Sequence, residues 1–248
     1  MNHVFCSIRI IVVFSFLAVP LFLLSQEPTG PSLEVLPSGD YPEATGDDYF
    51  SLGQYGMAAA AYERAVKINP SAYNYFLLGT CYYQMEKYQE SIYILTKSIN
   101  LMGNVKPSFW VIENRPHLLD GVYYSIPEIM PIQWKQIDAW TNRADAKRMV
   151  SDYRGSIQDF NVVIKNDSLN HYALYNRGIC KYELDDITGA YEDARRAISI
   201  KKNVCYYYYL RGSCHLYLER KEKGCLDMSK AGELGCSEAY EVIKEHCN

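Results

Sequence analysis

Residues 174–197, LYNRGICKYELDDITGAYEDARRA, and residues 208–231, YYLRGSCHLYLERKEKGCLDMSKA, are one pattern written twice at an offset of 34. Leu174, Arg177, Gly178, Leu184, Ala190, Ala194 and Ala197 correspond to Tyr208, Arg211, Gly212, Leu218, Gly224, Met228 and Ala231. The same offset towards the N-terminus reaches Trp140, Arg143, Ala144, Ser156, Phe160 and Val163, and Tyr153 belongs to the same copy. Beyond a gap, Leu78, Gly79, Tyr82, Met85, Tyr88, Ser91, Leu95 and Ser98 form another copy, and Gly46, Tyr49, Leu52, Gly53, Tyr55, Ala58, Tyr62, Ala65 and Pro70 a further one. A repeat of this length decides the architecture before any local element is assigned.

Each copy holds two segments of about 13 residues with apolar positions three and four apart, divided by a short polar or glycine-bearing break such as Leu52-Gly53-Gln54. That describes a helical hairpin. Small residues face each other where the paired helices cross: Gly79 with Ser91, Ala144 with Ser156, Gly178 with Ala190. A bulky side chain there would force the helices apart at about 1 to 3 kcal/mol. One hairpin leaves an apolar face open until the next covers it, so the copies stack as a solenoid held by local contacts.

The sequence of an aromatic, Leu-Gly, Tyr, Ala, an aromatic, Ala and Pro at fixed offsets resembles the tetratricopeptide repeat family, in a secreted bacterial form. The resemblance covers roughly 160 of the 248 residues. It departs from the family where Arg143, Arg177 and Arg211 replace the leucine, and where proline survives clearly only at Pro70. It implies an all-α fold, a right-handed superhelix of helical hairpins, with a capping helix at the C-terminus.

The order expected along the chain is then a signal peptide (1–25), a flexible leader (26–45), repeats 1 and 2 (46–102), an aromatic and proline-rich segment (103–136), repeats 3 to 5 (137–236) and the cap (237–248). The signal peptide rests on the apolar run Ile10–Leu24 after Arg9, too short and too interrupted by Pro20 to span a bilayer, which needs roughly 20 apolar residues. No membrane insertion is expected after cleavage, and the destination is the periplasm or envelope, or outright secretion. Within 103–136, Pro107, Pro116, Pro127 and Pro131 forbid long helices while Phe109, Trp110, Tyr123, Tyr124 and Trp134 are too apolar for a disordered linker. It is either an ordered insertion or a decayed repeat.

Two sets of residues recur with the period. Arg143, Arg177 and Arg211 are spaced by 34, as are Asp159, Asp193 and Asp227, which suggests an architectural ladder between neighbouring hairpins, Asp159 to Arg177 and Asp193 to Arg211. Cys81, Cys180 and Cys214 each follow a glycine by two residues and are expected to be buried thiols. The remaining cysteines past residue 200 are irregular. Antiparallel packing in the last repeat and cap brings Cys225 to Cys247 and Cys205 to Cys236, and an oxidising compartment would let both pairs form disulfides.

The charge balance, 25 basic against 29 acidic residues, offers no basic field for a phosphate backbone and argues against a nucleic-acid partner. There is no Gly-rich phosphate loop, His-Glu-x-x-His, Cys-x-x-Cys or Gly-x-Ser-x-Gly, and His117, His171, His215 and His246 are scattered. Neither an enzyme nor a bound cofactor or metal is expected. The family resemblance implies instead that one stripe of each first helix lines a concave surface that binds peptides or proteins. Here the stripe reads Phe50; Tyr73, Phe76 and Tyr83; Tyr172, Tyr175 and Tyr182; Tyr206, Tyr209 and Tyr217. The third copy differs, with Asp138, Thr141, Asp145 and Arg148. Tyrosine couples a broad apolar face to a hydroxyl, which suits recognition of a protein partner. The same rings would also suit sugar faces, so a glycan or cell-wall ligand is the alternative.

Overall fold

The computed structural model describes residues 45–102, 110–119 and 122–247. The expected signal peptide and the leader up to residue 44 lie outside them. The elements run α1 (Gly46–Ser51), α2 (Tyr55–Ile68), α3 (Ala72–Gln84), α4 (Tyr88–Met102), β1 (Trp110–Leu119), β2 (Val122–Pro131), α5 (Ile132–Met149), α6 (Tyr153–Asn166), α7 (His171–Glu183), α8 (Ile187–Ile200), α9 (Cys205–Tyr217), α10 (Lys221–Glu233) and α11 (Glu238–His246). The fold is an all-α tetratricopeptide-type solenoid of five antiparallel hairpins, with a two-stranded ribbon inserted after the second and α11 closing the end.

The hairpins form because each turn is specified locally. Glu86, Ser151, Asp185 and Glu219 occupy one place in four repeats and all adopt a left-handed backbone with φ between 58° and 62°. In the first repeat Gly53 does this at φ 72°, the position where the absence of Cβ is most useful. Asp152 and Asp186 then cap α6 and α8 by accepting the amide N–H groups of Gly155 and Gly189 at 3.0 and 2.9 Å.

The small residues sit at the crossings that the sequence assigns to them. A Cβ on Gly79 would stand 2.7 Å from Leu95, and Ser91 and Ser156 donate their hydroxyls to the carbonyls of Gly79 and Ala144, both at 2.8 Å. Gly178 lies so close to α8 that an added Cβ would be 3.4 Å from the Ala190 carbonyl. Phe160, Val163, Leu174, Cys180 and Ala197 fill the core of the central repeats, and burying Phe160 alone contributes roughly 2 to 3 kcal/mol.

The arginine and aspartate ladder is real, but its rungs run within hairpins rather than between them. Arg143 grips Asp159 with two bonds of 2.8 Å, and Arg177 grips Asp193 at 2.8 and 2.5 Å. The expected Asp159 to Arg177 and Asp193 to Arg211 pairs are therefore corrected: Arg211 holds Asp227 instead, at 2.8 and 2.7 Å. The antiparallel crossing that sets Ala144 against Ser156 also sets Arg143 against Asp159. The link between neighbouring hairpins is supplied by the third guanidinium nitrogen, which donates to Thr96 from Arg143 (3.0 Å) and to Asn161 from Arg177 (2.6 Å). Lys147 and Lys181 complete the first two rungs, each 2.8 Å from the aspartate. Asp159 and Asp193 are almost fully buried, and two cations with a bidentate geometry offset the cost of burying each carboxylate.

Residues 110–131 are not a decayed helical repeat. β1 and β2 pair antiparallel from Trp110 opposite Pro131 to Leu119 opposite Val122. Each strand of a two-stranded ribbon is an edge strand, which is why Pro116 and Pro127 are tolerated in it. The third hairpin also begins earlier than expected, since α5 starts at Ile132 rather than at residue 137.

The last hairpin and the cap are joined by two disulfides, Cys205–Cys236 and Cys225–Cys247, with Cα separations of 5.6 and 5.7 Å. Cys81, Cys180 and Cys214 are free and buried. Burial pushes their thiols up, to about 11 for Cys180 and about 12 for the other two, so they stay protonated and inert.

Candidate functional site: the tyrosine-lined inner face

First helices touch along the array, α3 to α5, α5 to α7 and α7 to α9, whereas second helices do not pack on one another to a comparable extent. The first helices thus form one layer of the stack, the inner one, and the stripe expected to carry the contact surface lies on it.

Of the residues expected there, Tyr172, Tyr206 and Tyr217 are the open ones, 43%, 44% and 50% exposed. Tyr73, Phe76, Tyr83, Tyr175 and Tyr209 are half-buried. The rings meet across hairpins: Tyr175 lies 6.5 Å from Tyr206 and 5.1 Å from Tyr207, and Tyr182 meets Tyr217 edge-on at 6.2 Å. These contacts make α7 and α9 one aromatic surface. At the other end Tyr73 is tilted against Phe76 at 6.5 Å and Tyr83 meets Tyr88 at 5.6 Å. Phe50 stands edge-on to Tyr55 at 5.2 Å and packs with the first core cluster.

Tyr182 departs from the expectation of a contact residue. It is only 7% exposed, covered by the ring of Tyr217 from the next repeat, and its hydroxyl has no hydrogen-bond partner. It forms the floor of the surface rather than the part a partner would touch first. Burial is the first cause of the raised pKa of every perturbed tyrosine here, Tyr83 reaching about 12, so all of them present neutral hydroxyls.

Between the two aromatic stretches lies a polar centre from the third hairpin. Asp145 is 4% exposed, and Tyr172 donates its hydroxyl to Asp145 Oδ2 at 2.8 Å. Arg148 Nη2 stands 3.6 Å from Oδ1, an ion pair too long to be a hydrogen bond, and Oδ1 accepts none. Burial outweighs the help of Arg148 and Tyr172 and lifts the Asp145 carboxyl to about 6. The stripe spacing places Asp145 and Arg148 on this face; that both would be buried depends on Tyr83 and Tyr172 from the flanking hairpins, which no spacing within one repeat reveals.

A second concavity, of ≈ 390 Å³, opens at the third rung beside Tyr191, His215 and Asp227. His215 stands where Lys147 and Lys181 stand in the other rungs, and Arg195 replaces the Thr96 and Asn161 acceptors. Burial lowers the pKa of His215 in spite of Asp227. Its ring packs 5.1 Å from Tyr191.

Comparison with known proteins bears on this arrangement. The family model described as "Anaphase-promoting complex, cyclosome, subunit 3" matches residues 44–105. No curated protein matches the chain in sequence. Among solved structures, one of MamA superposes with a TM-score of 0.61 at 18% identity, covering 79% of this chain and 96% of that one. MamA from Desulfovibrio magneticus RS-1 gives 0.61 at 11% identity over 76% of this chain and 90% of that one. YrrB, described as a TPR protein with an unusual peptide-binding site, gives 0.61 at 15% identity over 80% and 88%. At such identities the likeness is one of fold.

Proposed function

We propose that the chain, whose fold is that of tetratricopeptide-repeat structures, is a non-catalytic scaffold of the cell envelope whose inner face binds an extended peptide or a segment of a protein partner. The observation that carries this is the continuous tyrosine surface of α7 and α9, with Tyr172, Tyr206 and Tyr217 open to solvent next to the neutral, half-buried rings of Tyr175 and Tyr209. Partly exposed, well-supported aromatic rings are the residues that most often dominate protein recognition. YrrB, which shares the fold, is described as having a peptide-binding site. Export is supported by the apolar run near the N-terminus and by the two disulfides. No helix among the described residues is long and apolar enough to cross a membrane.

The test is a titration of the chain with a panel of nine-residue peptides and, in parallel, with soluble envelope polysaccharide. The double variant Tyr206→Ala, Tyr217→Ala is expected to lose peptide binding by about tenfold or more. Its melting temperature should stay within a few degrees, since both rings are about half exposed, whereas Tyr172 is left in place because its hydroxyl serves the buried Asp145. A collapse of stability would show the rings to be core. Retention of polysaccharide with no peptide bound would transfer the surface to a glycan ligand.

A further inference from the structure

The polar centre of the inner face narrows the chemistry of the partner. Charged residues on this stripe are unequal in number: Asp138 and Asp145 stand against Arg148. Asp145 is almost fully buried; Tyr172 serves one of its oxygens, and the other faces Arg148 at 3.6 Å and accepts no hydrogen bond. A buried carboxylate oxygen left without a donor is costly, and a second inner-face group, the Tyr182 hydroxyl, is buried without a partner as well. The neighbours of Asp145 are tyrosine rings from both flanking first helices, Tyr83 of α3 and Tyr172 of α7. Neutral phenol faces beside a carboxylate attract a cation twice, through the ring and through the charge. The chain already stacks cations in this way elsewhere, with the Arg143 guanidinium 4.5 Å above Trp140 and the Lys97 ammonium 4.4 Å above Tyr93.

We propose that the inner face selects a basic peptide, one that places a lysine or arginine side chain at Asp145 between Tyr83 and Tyr172. The inference rests on the peptide-binding reading above and adds the charge of the occupant. An anionic side chain at the same place would set a second negative charge beside the Asp145 carboxylate. A neutral amide could donate to the Asp145 oxygen but would not balance its charge, and a charge-assisted bond is the stronger one. A basic side chain supplies the missing donor and joins Arg148 in balancing the acids.

The experiment uses the full chain and three labelled nine-residue peptides that share one sequence except for a central Lys, Gln or Glu, read by fluorescence anisotropy at pH 7.5. The expected order is Lys tightest and Glu weakest, with Lys preferred over Glu by about tenfold or more, as a charge-assisted bond to a buried carboxylate requires. In Asp145→Asn that preference should fall to about threefold or less while the Gln peptide is little changed. A second reading needs no variant. In the native chain, lowering the pH from 7.5 to 5 should shrink the preference for Lys over Gln. The groups facing Asp145 are Tyr83 from α3, Arg148 from its own helix, and Tyr172 and Cys180 from α7; burial raises the two phenols and the thiol, so these three stay neutral throughout that interval. If the three peptides bind equally, or Glu binds best, and Tyr206→Ala still weakens them, the charge selection is wrong and the peptide surface stands. If no peptide of any charge binds, both readings fall.

Discussion

Replacing Asp145 by asparagine should make the protein more stable at neutral pH, and by an amount that grows with pH. An aspartate in the unfolded chain loses its proton near its ordinary 3.8, whereas in the fold Asp145 keeps it until about 6. Between those values the folded state binds the extra proton, so each pH unit gained weakens folding through this group, and the loss is complete above about 6. The interval of about two units corresponds to about 3 kcal/mol. Because Asp145 is almost fully buried, solvent screening does not reduce this appreciably. Asparagine has the same shape, can still accept from Tyr172 and does not ionise. Its amide placed towards Arg148 will offset part of the gain. Denaturant titrations of both proteins at pH 4, 5, 6 and 7, with disulfides intact, cancel every other titrating group in the difference. The variant's advantage should rise by about 1 to 3 kcal/mol from pH 4 to pH 7, or several degrees in melting temperature for a chain of this size. A flat difference, or one that falls with pH, would show that Asp145 is well paired and would remove the argument that its burial is a cost retained for binding.

Breaking a rung should be more damaging than any single groove change. Asp193→Ala leaves Arg177 and Lys181 facing a buried void and should cost about 3 to 5 kcal/mol by equilibrium unfolding. Asp227→Ala should cost less, since its pair with Arg211 is more exposed and has no lysine. Reduction of Cys225–Cys247, which closes a separation of 22 residues, should cost roughly 3 kcal/mol in the chain-entropy picture and raise amide exchange in α10 and α11 while the hairpins from α3 to α8 stay protected. Peptide mapping without reductant should recover both disulfides and leave Cys81, Cys180 and Cys214 as thiols.

What the sequence discloses about this chain is the part that repeats. The offset of 34, the small residues at the crossings and the antiparallel geometry that brings Cys225 to Cys247 all depend on contacts within one hairpin or between adjacent elements. The rung pairing was also open to derivation: if Ala144 opposes Ser156, then Arg143 and Asp159, one residue back and three forward, share that side. The ribbon has a signal in the sequence too: Asp120-Gly121 between two runs rich in β-branched and aromatic residues is a strong hairpin pattern, and prolines that forbid a helix are tolerated in an edge strand. The burial of Tyr182 and Asp145 was not legible. Both are set by side chains from a neighbouring repeat, Tyr217 in one case and Tyr172 in the other, and a stripe read copy by copy contains no information about what covers it.

The central claim, that the inner tyrosine face is the binding surface, is tested most directly by mapping ring and amide resonances of the chain as the lysine-centred peptide is added. The account predicts shifts at Tyr172, Tyr175, Tyr206 and Tyr209 and at the amide of Asp145, with Tyr93 on α4 and Tyr240 on α11 unmoved although both are exposed. Shifts centred on Tyr93 or Tyr240, with the rings of α7 and α9 unchanged, would contradict it.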